Sequence, residues 1–384
     1  MYWMDATELY TAEPPTRKLR KAPDSFCPVF SVFMWFGFSL NKAMQFLNFR
    51  AVDTHYGFER FTSKSLDKDT ILTIFFPGVI IRQTCILRFS NKSNSGPRRF
   101  QMSVQIIVDS TVDMPDRIKE CFRIVPLTVH FGSEEFIDGV TIDKARFYER
   151  LVESDLLPTT SQAAPAAFQK VFEEVEAAGD SAVVITISSK LSGTYQSACI
   201  AAADFDNIFV VDSMTAAIGS GILAEYALKL AGAGMSVEQI AEEIEEKKAD
   251  VCLIALLDTL EYLKKGGRVS KTTAFAGGIL NIKPVLTIQD GEVVVIGKAR
   301  GSKQGNNLLV EKIHNSGGID FSMPILLGYS GLSDVFLKKY VEDSRALWQD
   351  GTDALDSTLL CSVIGTHTGP GVVAVAFFKK SSAR

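Results

Sequence analysis

The chain is expected to fold as an α/β protein of two domains, preceded by an N-terminal extension of different character. Three observations carry that expectation. Short apolar, β-branched runs alternate with helix-like segments from residue 102 onward, the pattern that builds sheets flanked by helices. The 384 residues give room for two such units. A composition break near residue 101 sets the beginning apart: residues 1–101 hold 13 of the 26 Phe and 14 Lys or Arg against 8 Asp or Glu, a net +6, while the remainder carries 26 against 37, a net −11.

The extension offers little to a fold. Its apolar stretches, 27–40 and 71–81, fall short of the roughly 20 residues that a spanning helix requires. The acidic-bearing start ahead of them is unlike a secretory leader. Residues 1–101 are expected to be upstream sequence read in frame, with Met102 the natural start; a small module or a disordered extension are the alternatives. Arg98 and Arg99, just before Met102, suit the purine-rich codons of a bacterial ribosome-binding site.

From there the elements follow in order. Val104–Val108 reads as a strand ending in the polar turn Asp109-Ser110-Thr111. Similar buried strands are predicted at Ala182–Ile187, Ile208–Val211, Val251–Leu257, Ile325–Leu327 and Val372–Phe377. Helices are predicted at Pro165–Ala178, Met214–Ala231, Ser236–Ala249, Leu260–Lys265 and Ser333–Trp348. The third is the clearest, with a Ser236/Gln239 capping box and an apolar face of Val237, Ile240 and Ile244. Asp290-Gly291 between apolar runs signals a two-residue hairpin, so the second half should hold a mixed sheet. A boundary near Asp258 divides 102–258 from 259–384.

The totals also exclude. A net charge of −5 offers no basic footprint for nucleic acid. Cys27, Cys85, Cys121, Cys199, Cys252 and Cys361 are scattered singly, which suits reduced thiols in a cytoplasmic protein rather than zinc ligands or disulfides. No P-loop and no H-E-x-x-H occur, and Gly328-Tyr329-Ser330-Gly331-Leu332 lacks the second glycine spacing of a nucleophile elbow.

Four polar clusters stand where an α/β protein places ligands, at strand ends. Thr159-Thr160-Ser161-Gln162 can cap the following helix or hold an anion against its N–H groups. Ser188–Tyr195 contains Ser192-Gly193-Thr194, where glycine lets the backbone approach a ligand. Lys264-Lys265-Gly266-Gly267-Arg268 reads as a helix C-cap followed by an arginine fork. Gly365-Thr366-His367-Thr368-Gly369-Pro370-Gly371 reads as an irregular loop around a histidine.

Taken in order, VDST (108–111), PTTSQ (158–162), SSKLSGTYQSA (188–198), VDS (211–213), LEYLKKGGRVS (260–270), LNIKPVLTIQDGEV (280–293) and GTHTGPG (365–371) resemble the DegV family of fatty-acid-binding proteins. The resemblance covers 102–384. It implies two α/β domains with a long-chain fatty acid between them, and no other cofactor. It also implies a role as acyl-binding subunit beside an ATP-dependent fatty-acid kinase that makes an acyl-phosphate for phospholipid synthesis. On the matching motifs, Thr160 and Ser192 would hydrogen-bond the carboxylate, Gly193 would add an N–H, and Arg268 and His367 would lie near the headgroup. The chain itself would then not be an enzyme, nor insert stably into a membrane. The alternative is a stand-alone phosphotransferase or hydrolase using His367 as base and Arg268 for phosphate.

Overall fold

The computed structural model describes residues 103–269, 282–348 and 355–380, together with an antiparallel strand pair, Ile74–Phe76 and Val79–Ile81. The expectation for residues 1–101 otherwise falls outside the described residues. The chain divides at Arg98, and residues 99–384 form one compact unit.

In that unit β1 (Val104–Asp109) leads through α1 (Asp116–Lys119) into β2 (Phe122–Val125). β3 (Thr128–Phe131) and β4 (Glu134–Ile137) pair antiparallel. α2 (Lys144–Glu153) comes next, its N-terminus capped by Asp143, which accepts from the Arg146 N–H. β5 (Thr159–Ser161) returns to pair antiparallel with β3. Beyond it lie α3 (Pro165–Ala178), β6 (Ser181–Thr186), α4 (Thr194–Ala202), β7 (Ile208–Asp212), α5 (Ala217–Gly232) and α6 (Val237–Lys247). β8 (Val251–Leu256), α7 (Glu261–Lys265), β9 (Ile282–Gln289), β10 (Glu292–Arg300) and α8 (Gly301–Asn315) continue the chain. It ends with β11 (Leu326–Tyr329), α9 (Val335–Asp343), α10 (Arg345–Trp348), β12 (Ser357–Leu359), α11 (Ser362–Thr368) and β13 (Val373–Phe378).

The strands build a four-stranded parallel sheet in the order β2-β1-β6-β7, a three-stranded sheet β4-β3-β5, and a six-stranded sheet β10-β9-β8-β13-β11-β12. All six residues of β6 are buried, as befits a strand covered on both faces. The six-stranded sheet is mixed: β11 and β12 run parallel while its other pairs are antiparallel. Its strands alternate between two cores. Leu253, Leu286, Ala374 and Phe378 join the core shared with the four-stranded sheet, whereas Ile254, Val285, Val375 and Phe377 face a second core with Leu309, Tyr340 and Trp348. The shared core is what brings the polar strand ends of one sheet over the face of the other. Among the described residues no helix is long and apolar enough to cross a membrane.

Several expectations hold element by element. The Ser236/Gln239 capping box is present, and Asp290 and Gly291 adopt φ of 50° and 81° at the β9–β10 turn, as a type I′ hairpin requires. Others are corrected. The strand before Asp258 does not end the first unit, because β8 pairs with β9 and β13 inside the six-stranded sheet. Thr159–Ser161 is a strand rather than a helix cap, since its backbone groups are taken by β3. His367 lies on the last turn of α11, not in an irregular loop. The helix expected over Ser333–Trp348 breaks at Ser344, whose hydroxyl donates to the Tyr340 carbonyl at 2.6 Å.

Candidate functional site: a cavity with one polar end

A cavity of about 380 Å³ lies against the face of the six-stranded sheet, and Thr160, Ser192, Gly193, Arg268 and His367 all line it. The structure therefore brings together the five residues singled out in the sequence. Strand alternation orients the first of them. Thr160 turns inward, its Oγ1 2.9 Å from His367 Nε2, while the Ser161 hydroxyl turns to His130 Nε2 on the neighbouring strand, also at 2.9 Å.

Ser192 and Gly193 sit at the start of α4, with Gly193 as N-cap. The Ser192 hydroxyl is 2.9 Å from Thr194 Oγ1 and accepts from the Thr194 N–H at 3.2 Å. A side chain at 193 would meet Gln162: a Cβ there would lie 2.1 Å from Gln162 Oε1, so the Gln162 amide would have to swing away. The Gln162 amide in turn donates to Ser197 Oγ at 2.9 Å. Gln162 thus fastens β5 to α4 and sets the distance between the two hydroxyl-bearing segments.

Arg268 lies just past the stop of α7, as its sequence suggests. Its Nη1 donates to the Gly266 carbonyl at 2.6 Å and its Nε to the Leu191 carbonyl at 3.3 Å, which ties the segment after α7 to the loop before α4. Gly266 packs under the imidazole, where a Cβ would stand 2.3 Å from His367 Nδ1. Burial, with the Arg268 charge adding to it, pushes His367 down to a pKa of about 4. The ring is neutral at neutral pH. Its Nδ1 is buried with no hydrogen-bond partner.

Away from this end the walls are apolar, with Leu253, Ala255, Leu286, Val363, Ile364 and Ala374 among them. The hydroxyls found there are turned aside. Thr287 Oγ1 donates to the Leu253 carbonyl at 2.8 Å, and Thr111 Oγ1 bonds to the buried Asp109. Asp109 also accepts from the Thr111 N–H at 2.8 Å and the Ile187 N–H at 2.7 Å. Burial nonetheless pushes it up to about 6, against those hydrogen bonds.

A second polar group lies outside the four clusters. Asp113 and Asp138 accept from the N–H groups of Cys361 and Ser362 at 3.1 and 3.2 Å, and so hold the start of α11. Lys144 Nζ bonds to Asp113 at 2.7 Å and to the Leu359 carbonyl at 2.6 Å. Burial raises the Asp113 pKa while Lys144 pulls it back; Lys144 is held above its ordinary value by Asp113 despite its own burial. The one sequence signal for this group is the place of Asp113, two residues beyond the VDST segment. Among the described residues no His, Cys, Asp and Glu cluster has the arrangement of a metal site.

Such a cavity, mostly apolar with hydroxyls, a neutral imidazole and one guanidinium gathered at one end, is the form of a pocket for an amphiphile carrying a small polar head. The family model described as uncharacterised proteins of the DegV family matches residues 103–380, and the chain belongs to that family. It is 37% identical over 284 residues to a DegV domain-containing protein of Caldanaerobacter subterraneus subsp. tengcongensis, covering 72% of this chain and 99% of that one. Among solved structures it resembles a fatty-acid-binding DegV family protein from Thermus thermophilus, at 31% identity and a TM-score of 0.66, covering 72% of this chain and 100% of that one. It also resembles a stearic-acid-binding protein from Eubacterium ventriosum, at 26% identity and a TM-score of 0.64, over 72% and 98% of the two chains.

Proposed function

We propose that this chain binds one long-chain fatty acid in the cavity. Thr160 and Ser192 hydroxyls and the Gly193 N–H hold the carboxylate, with Arg268 and His367 beside it. The observation that carries the reading is the gathering of Thr160, Ser192, Gly193, Arg268 and His367 at one part of a cavity whose remaining walls are mostly apolar. The stearic-acid-binding relative supports the choice of ligand. Burying about 15 methylenes at about 0.8 kcal/mol each supplies roughly 12 kcal/mol before the losses of association. The tail sets affinity, and the headgroup needs only the two hydroxyls and the Gly193 N–H as direct partners.

Once loaded, the chain presents the carboxylate to an ATP-dependent kinase partner in the cytoplasm, which converts it to an acyl-phosphate for phospholipid synthesis; the chain supplies no catalytic group or cofactor. Holding the carboxylate directly on hydroxyls and an N–H suits this, with the Arg268 fork bonded instead to the Gly266 and Leu191 carbonyls, because a direct charged clamp would stabilise the ground-state carboxylate that must react. The test is acyl-phosphate formation with the cognate kinase. Thr160→Ala and Ser192→Ala should each slow it severalfold, and turnover equal to that of the natural chain would contradict the roles given to them. The phosphotransferase or hydrolase alternative gains no support, since no group orients His367 Nδ1.

A further inference from the structure

We propose that Ala255 and Ala374, with Leu360 at the end of their row, set the length of acyl chain that the cavity accepts. This rests on the fatty-acid reading and adds the residues that measure the tail. In the six-stranded sheet Ala255 stands opposite Ala374, and Ala374 opposite Gly328. Three of the smallest residues therefore succeed one another across β8, β13 and β11. Flanking positions are larger: Leu286 faces Ala255 from β9.

Ala255 and Ala374 line the cavity, so the trough they leave in the sheet is open. The trough does not continue to Gly328. A Cβ at 328 would lie 3.0 Å from Leu360 Cδ2 and 3.2 Å from Ile218 Cγ2, so those side chains already occupy that slot. Leu360 itself is buried, at 2% exposure, and lines the cavity. It is the stop. Small residues also stand on the cavity wall at the start of α5, where Ala216 and Ala217 line it. Ala217 holds a left-handed φ of 51°, a conformation that excludes β-branched side chains there.

Each methylene buried in such a channel multiplies affinity about fourfold. The gain must end where the tail meets Leu360. Ala255→Leu fills the trough with three more carbons and should move the optimum to acids about three carbons shorter; Leu360→Ala removes three carbons at the stop itself, with Ile218 still against Gly328, and should move it longer by up to a similar amount. The experiment is competition of a saturated series, decanoate to eicosanoate, against a fluorescent fatty acid on the full chain. Affinity of the natural chain should climb about fourfold per carbon to a maximum, and the two variants should displace that maximum in opposite directions.

An unmoved maximum in both variants, or an equal loss at every length, would overturn the proposal while leaving the fatty-acid reading intact. If no acid of the series binds the natural chain, the fatty-acid reading falls and this one with it. Should Ala255→Leu not fold, Ala255→Val and Leu360→Ala carry the same comparison.

Discussion

Replacing His367 by glutamine should flatten the acid limb of the stability curve. Its imidazole titrates near 4 in the folded chain instead of the ordinary 6.5, because burial and the Arg268 charge disfavour the cation. Between those values the unfolded chain binds the proton and the folded chain does not, so stability rises with pH across the window and is lost as pH falls through it. The two pKa values give a loss of about 2 kcal/mol on going from near pH 8 to about pH 5. Asp109 acts with the opposite sign: its folded pKa of about 6 lies above the ordinary 3.8, so it favours folding as pH falls through the same range. Only the difference between the natural chain and His367→Gln isolates the histidine. Urea unfolding of both, at matched ionic strength across that range, measures it. Curves that stay parallel from neutral to acid pH would refute the neutral, buried imidazole.

Two further outcomes are expected. Gly193→Ala should lower fatty-acid affinity about tenfold in a displacement titration, because the added Cβ displaces the Gln162 amide that spaces the two headgroup segments. Asp113→Asn should cost on the order of 3 kcal/mol in denaturant unfolding by leaving Lys144 without its charge partner. The double variant Asp113→Asn, Lys144→Met should recover part of that loss, and its failure to do so would show that the pair itself is not what matters.

Local signals made the alternation of strands and helices, the α6 capping box and the Asp290-Gly291 turn legible, because each is decided by neighbours in sequence. The polar end of the cavity is legible in a different way: local chemistry picks out the glycine- and hydroxyl-rich segments at the ends of apolar runs, and the family resemblance singles out Thr160, Ser192, Gly193, Arg268 and His367 within them. What escaped depends on distant partners. A buried strand such as β8 looks the same whichever sheet it joins, so a boundary at Asp258 split it from β9 and β13. β5 exists as a strand only because β3 pairs with it. α11 reads as a loop because glycine and threonine are poor helix formers; Asp113 and Asp138, 248 and 224 residues away from the N–H groups they accept from, hold its start. The alanine row across β8 and β13 is equally invisible in sequence, since its members become neighbours only through register.

The most direct test of the central claim is native mass spectrometry of the full chain purified without added lipid, with denaturation and identification of the released molecule. One long-chain fatty acid per chain, lost or sharply reduced in a Thr160→Ala, Ser192→Ala double variant, is the expected result. A chain that arrives empty and takes up neither oleate nor palmitate on incubation would contradict it.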